Sequence, residues 1–315
     1  MIDYSIYYRR PINTDRINKE LEECDIFISA FNSSDRVQKI FEEVQAKQKF
    51  WFIQPEYAYK PLEYPTGYPI VAPNELDEAL QLRALLDEVG MLHNKKVYID
   101  ITGFMRHTLC FMIPMLAYAG LKEFTALYSE PLFYKKQENT TFTNSTSGNV
   151  RPVRGMAGSN HSQSRDFLII GVGYDSKLIN EVTTHKDNSV VYPLFAFPSL
   201  SPDMYQQSAI AASLGGDAAI SGEWITNRKF APANDPFSTA QALKSVVSEI
   251  DRKFSNANIY ISPLSTKVQA MGFALYWFLE GKQRGAVSLI LPECTGYTRE
   301  TSEGIKRLWT YTIEL

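Results

Sequence analysis

Short apolar runs alternate with polar, helix-patterned segments along the chain. Asp25 to Phe31 (DIFISAF) is a compact apolar run that exits into Asn32, Ser33 and Ser34 and then into RVQKIFEEV, which predicts strand, polar loop and helix. Asn and Ser suit the first turn because their side chains accept from free helix amides. Lys49 to Tyr57 predicts a second strand. The stretch from Pro55 to Pro73 is too rich in Pro for a regular helix, and its tyrosines give it apolar surface to bury, so it predicts a long ordered loop. A helix from about Glu75 to Val89 ends near Gly90, and KVYIDITGF supplies the next strand. MRHTLCFMIPMLAYAG then predicts an apolar helix that Pro114 kinks or distorts, followed by a strand in EFTALYSEP.

The second half repeats this plan. RDFLIIGVGYDSKLINEV predicts strand, glycine-containing turn and helix, NIYISPLSTKVQAMGFALYWFL predicts strand, tight loop and apolar helix, and AVSLILPE predicts the final strand. Asp25 to Val44 answers Asp166 to Val182, Val97 to Ala119 answers Ile259 to Leu279, and Phe124 to Pro131 answers Val287 to Glu293. Val97 to Phe124 and Ile259 to Val287 are each long enough for a βαβ crossover. Between Tyr134 and Ser164 the composition turns to Thr, Asn, Ser and Gly, with Lys136, Arg151 and Arg154 scattered among them, as in a domain linker or mobile loop. The expected fold is α/β: two tandem Rossmann-like units with mostly parallel central sheets, pseudo-twofold related, over 1–134 and 165–315, with 135–164 between them.

Composition narrows the function classes. The 315 residues are 44% hydrophobic and 21% charged, an ordinary globular balance with enough apolar side chains for two cores. A net charge of -3 leaves no broad basic field for long duplex nucleic acid, although a local anion pocket needs none. Cys24, Cys110 and Cys294 make neither a disulfide framework nor a metal-ligand spacing, so a reducing, cytoplasmic setting is expected. The N-terminus has no signal-peptide core and FMIPMLAYAG is too short to span a bilayer, so no membrane partner is expected.

In open parallel sheets, ligands collect beyond the carboxyl ends of strands, where loops and helix starts present amides. The first half places Asn32, Ser33, Ser34 and Asp35 there, and then Asp100, Thr102, Gly103, Arg106 and His107. The second half places Gly171, Gly173, Tyr174 and Asp175 there, and then Ser262, Ser265, Thr266 and Lys267. Ser265 to Lys267 suit an anion seat without the frame of a Walker A loop, and Gly171-x-Gly173 lacks the third glycine of a dinucleotide fingerprint because Ser176 stands there. Two further stretches, Phe195 to Gln207 and Phe230 to Leu243, set Pro, Asp, Asn and Ser around aromatics. Either the prolines shape loops and Asp203 and Ser238 cap helices, or Asp203, Tyr205, Asn234 and Asp235 line the mouth beside Ser262 to Lys267 and read a base or ribose. His107 and His161 have the same two readings, as satisfied polar residues or as site residues. No metal signature and no G-x-S-x-G elbow is present, so neither metal nor cofactor is expected. Asp35, Asp100, Asp175 and Asp235 are the available bases, which leaves enzyme status open.

With strand ends at NSSD and DITG, the chain resembles the CRISPR-associated Rossmann fold (CARF) and SAVED-like sensor domains of bacterial anti-phage systems. Those domains bind cyclic or linear oligonucleotide messengers with a loop after the first strand and a later D-x-T-G-G-x-K loop. Asp100, Thr102 and Gly103 match the start of that pattern, while Phe104 stands at the second glycine and Arg106 at the lysine; Ser262, Thr266 and Lys267 hold the analogous place in the second half. The resemblance implies a nucleotide or oligonucleotide sensor whose two lobes share a cleft for a small anionic ligand. It also implies either a separate effector protein or cleavage of the ligand by this chain. An enzyme on a phosphorylated substrate and a scaffolding subunit of a defence complex are the alternatives.

Overall fold

The computed structural model describes residues 2–134, 143–160, 165–214, 222–299 and 301–315. The chain runs through β1 (Arg9–Ile12), α1 (Ile17–Glu20), β2 (Cys24–Ala30), α2 (Asp35–Glu43), β3 (Ala46–Phe52), β4 (Ile70–Val71), α3 (Glu78–Val89), β5 (Val97–Asp100), α4 (Arg106–Tyr118) and β6 (Glu123–Tyr134). It continues through β7 (Thr143–Pro152), β8 (Arg165–Val172), α5 (Ser176–His185), β9 (Val190–Ala196), α6 (Met204–Leu214), α7 (Gly222–Thr226), β10 (Lys229–Ala231) and α8 (Pro236–Lys253). The last elements are β11 (Ala257–Pro263), α9 (Lys267–Tyr276), α10 (Lys282–Arg284), β12 (Val287–Tyr297) and β13 (Ser302–Glu314).

These strands build two sheets. The first has the order β1-β13-β6-β5-β2-β3-β4, parallel from β6 to β4, with β13 antiparallel to β6 and β1 antiparallel to β13. The second has the order β10-β9-β8-β11-β12-β7, parallel from β10 to β12. Both parallel sets follow one topology: the first strand lies centrally, the next two step outward on one side, and the last two step outward on the other. The chain is therefore α/β, with two Rossmann-like sheets. Each has a switch point where the strand order reverses, between β2 and β5 in one and between β8 and β11 in the other.

The units are not the halves expected from the repeat. One compact unit, called the first here, comprises Tyr7–Ser145 and Cys294–Leu315; the second comprises Met1–Ile6 and Thr146–Glu293. The expected boundary of 165–315 therefore fails at its end, because β13 follows the supposed final strand and pairs with β6 and β1. The segment 135–164 is likewise not simply a linker, since Thr143–Pro152 forms β7 beside β12. Residues 135–142, with Lys136, and 161–164, with His161, lie outside the described residues. The long ordered loop after β3 does exist, and it also contributes β4, paired in parallel with Trp51 and Phe52.

Each core follows from its patterning. Val37, Ile40 and Phe41 fall on one face of α2 and pack with Phe27, Phe31 and Trp51 of the sheet side, with Phe41 stacked on Trp51 at 3.6 Å between ring centroids. A helix that is apolar all round must be covered all round, and every residue of α9 from Val268 to Tyr276 is buried. Pro114 lies inside α4 at a half-buried position. No helix among the described residues is long and apolar enough to cross a membrane.

Candidate ligand-binding site

At the first switch point the loops after β2 and β5 meet. A Cβ built on Gly103 would lie 2.1 Å from the Ala30 carbonyl oxygen, so only glycine lets the second loop close on the end of β2. Asp100 ends β5 fully buried and organises its loop by accepting from Thr102 N at 3.0 Å and Ser29 Oγ at 3.2 Å. Burial raises its pKa above the ordinary carboxylate value, and those hydrogen bonds oppose the shift. Thr102 Oγ1 accepts from Ser129 N, which ties the loop to β6. Thus Asp100, Thr102 and Gly103 hold the crevice in shape.

Two helices start here. Ser34 is the N-cap of α2, but its hydroxyl donates to Asn32 Oδ1 instead of capping, and Met105, the N-cap of α4, has no polar side chain. Neither helix start is capped by its N-cap side chain, although Asp35 Oδ1 takes the Arg36 amide at 2.8 Å. Arg36, in the first turn of α2, is only 8% exposed and reaches over the strand ends to donate from one terminal nitrogen to the Ser129 carbonyl. Its Nε has no hydrogen-bond partner among the described residues. Arg106 opens α4 half-buried, and its charge acts on the phenols of Tyr128 and Tyr297.

Beside this crevice lies a cleft of about 840 Å³, within the range of small-molecule sites. Ser33, Glu56, Tyr57, Tyr59, Tyr297 and Arg299 contribute to its wall. Tyr59 Oη accepts the Ser33 amide at 2.9 Å, and Tyr57 donates to the Gly103 carbonyl at 2.8 Å, so the segment after β3 is fastened to both loops. Burial pushes Tyr57 well above the usual phenol pKa and Tyr297 up to about 12, which keeps both as neutral rings. Arg299 stacks over Tyr59 at 4.2 Å, donates to the Tyr57 carbonyl at 2.8 Å and pairs with Glu63 at 2.7 Å.

A buried polar network extends inward from this wall through Glu56. Gln54 accepts from Met105 N at 2.9 Å and donates to Thr108 Oγ1 at 2.8 Å. Glu56 Oε1 accepts from Gln81 Nε2 at 3.0 Å and lies 2.8 Å from His107 Nε2. His107 is thus a paired, buried residue at the start of α4. Arg36, Glu56, Tyr57, Tyr59 and Arg299 were not candidates from sequence. Glu56 and the two tyrosines sit in the Pro- and Tyr-rich loop, where the available signal was an acidic residue a few positions beyond the second parallel strand.

The second switch point shares the close approach but spends its polar groups differently. A Cβ on Gly173 would lie 2.2 Å from the Leu264 carbonyl oxygen. Asp175 caps α5 through Leu178 N, Asp235 caps α8 through Phe237 N and Ser238 N, and Thr266 caps α9 through Gln269 N while donating to the Ala233 carbonyl. That last bond brings the 233–235 loop against the start of α9, so Asn234, Asp235 and Thr266 are neighbours. Lys267 opens α9 half-buried, and Ser265 and Tyr174 flank the same loops. Ser262 is fully buried, and its Oγ lacks a partner among the described residues.

Asp203 and Tyr205 are engaged elsewhere. Asp203 is exposed and accepts from Gln207 Nε2, while Tyr205 packs among Phe195, Phe197 and Phe230 and accepts from Arg228 at 2.9 Å. No group of three or more His, Cys, Asp or Glu side chains among the described residues is placed to hold a metal ion. No protein-family model matches the sequence, and no curated protein matches it significantly.

Proposed function

We propose that the first unit binds a phosphate-bearing nucleotide or oligonucleotide at its switch point. Arg36 is the observation that carries this reading. It is a buried guanidinium with an unpartnered Nε beside two helix starts that their N-cap side chains leave open, in the crevice where doubly wound sheets take ligands. A buried cationic donor without a partner costs free energy that an anion recovers. The adjoining cleft, with Ser33, Tyr59 and Arg299 in its wall, has room for the rest of a nucleotide. A sensor of nucleotide signals, as the CARF and SAVED resemblance implies, would use such a seat.

Isothermal titration of the whole chain with pyrophosphate, cyclic mononucleotides, and cyclic and linear oligonucleotides tests the reading. At least one of these ligands binds the wild type, and Arg36→Lys, which keeps the charge but loses the fork, weakens it about tenfold or more. Binding that is indifferent to Arg36→Lys, in a variant with an unchanged melting temperature, removes Arg36 and the seat built on it.

A further inference from the structure

Glu56 is a buried carboxyl group with work left over. It is 1% exposed and contributes to the cleft wall; Oε1 serves Gln81 and His107, whereas Oε2 has no partner among the described residues. Leaving a buried acceptor unmade is costly, and an unsatisfied polar atom at a ligand cleft points to a donor that arrives with the ligand.

Topology says which donor. Glu56 lies four residues beyond the end of β3, in a short 3-10 turn (Pro55–Tyr57). β3 is the parallel strand next outward from β2, and Glu56 comes about 20 residues after the loop that contains Ser33. In doubly wound nucleotide-binding sheets an acidic residue at the end of this second strand accepts from a ribose hydroxyl, while the phosphate rests on the helix that follows the first strand. Arg36 and the start of α2 hold the second of these positions here. We propose that Glu56 is the ribose-reading residue of the first unit, its Oε2 accepting a 2′-hydroxyl, so that the site selects ribonucleotides over their 2′-deoxy counterparts. This rests on the nucleotide reading above and assigns that site its sugar.

Oε2 is shielded from solvent, so the proposal requires the segment around Tyr57 to give way to the hydroxyl. The contacts of Arg299 with the Tyr57 carbonyl and Glu63 resist that movement. His107 and Gln81 hold the carboxyl group itself in one orientation, so it is preorganised for the hydroxyl.

Titration of the whole chain with ATP, GTP, CTP and UTP, each against its 2′-deoxy counterpart and with pyrophosphate in parallel, tests the assignment. At least one ribonucleotide binds about tenfold more tightly than its deoxy form, the worth of one hydrogen bond to a carboxylate. In Glu56→Gln, which keeps the volume and an acceptor for Gln81, that ratio falls to about twofold or less, with a melting temperature close to wild type. Equal affinities for both sugars in the wild type, or an undiminished ratio in Glu56→Gln, overturn the ribose assignment and leave the anion seat standing. Pyrophosphate binding with no nucleotide bound has the same meaning. Failure of every ligand, pyrophosphate included, overturns the seat and the assignment together.

Discussion

The two switch points are built on one strand order and diverge in how they treat their helix starts. In both, a glycine on one loop meets the backbone of the other: Gly103 against Ala30 and Gly173 against Leu264. The roles are exchanged, since Gly103 follows the fourth strand in topological order and Gly173 follows the first. The second unit then spends Asp175, Asp235 and Thr266 on its own helix amides. In the first unit Ser34 turns away to Asn32, Met105 has nothing to offer, and Arg36 is buried alongside. Strand order creates a place for a ligand, and capping decides whether that place is already filled by the chain itself.

The largest effect expected on this comparison comes from the glycines. Gly103→Ala and Gly173→Ala each force backbone apart at a switch point and cost about 3 kcal/mol, an overpacking penalty, read as a fall in unfolding free energy in denaturant. If either alanine is tolerated at wild-type stability, that pair of loops does not close as described.

Caps come next. Asp235→Ala removes the acceptor of two amides and costs about 1–2 kcal/mol, and Thr266→Ala costs about 1 kcal/mol. Ser34→Ala costs only about 0.5 kcal/mol, because its hydroxyl serves Asn32 rather than the helix. Equal losses at Ser34 and Thr266 would erase the contrast between the two units.

Much of the first sheet was legible because buried parallel strands read as apolar runs with polar exits, as at Asp25 to Phe31 and Val97 to Asp100. β13 was hidden for the opposite reason. SEGIKRLWTYTIEL mixes apolar and charged positions, and its return to the first sheet depends on antiparallel pairing with β6, which no local pattern announces. β7 was hidden because an edge strand is held by its backbone, so TNSTSGNVRP keeps the composition of a loop. At the site, Asp100, Thr102 and Gly103 were visible in a strand-exit motif, but their burial gives them a shaping role. Arg36 and Glu56 were not visible, since an arginine on an amphipathic helix and a glutamate in a proline-rich loop look like surface residues until tertiary packing buries them.

Hydrogen exchange of the whole chain with and without saturating pyrophosphate tests the central contrast most directly. An anion held by Arg36 between the starts of α2 and α4 predicts slower exchange over 33–37 and 104–108, as it locks those first turns, with 173–178 and 264–269 unchanged. Protection confined to the second unit's loops, or none in either, would contradict the assignment of the anion seat to Arg36 and its neighbours.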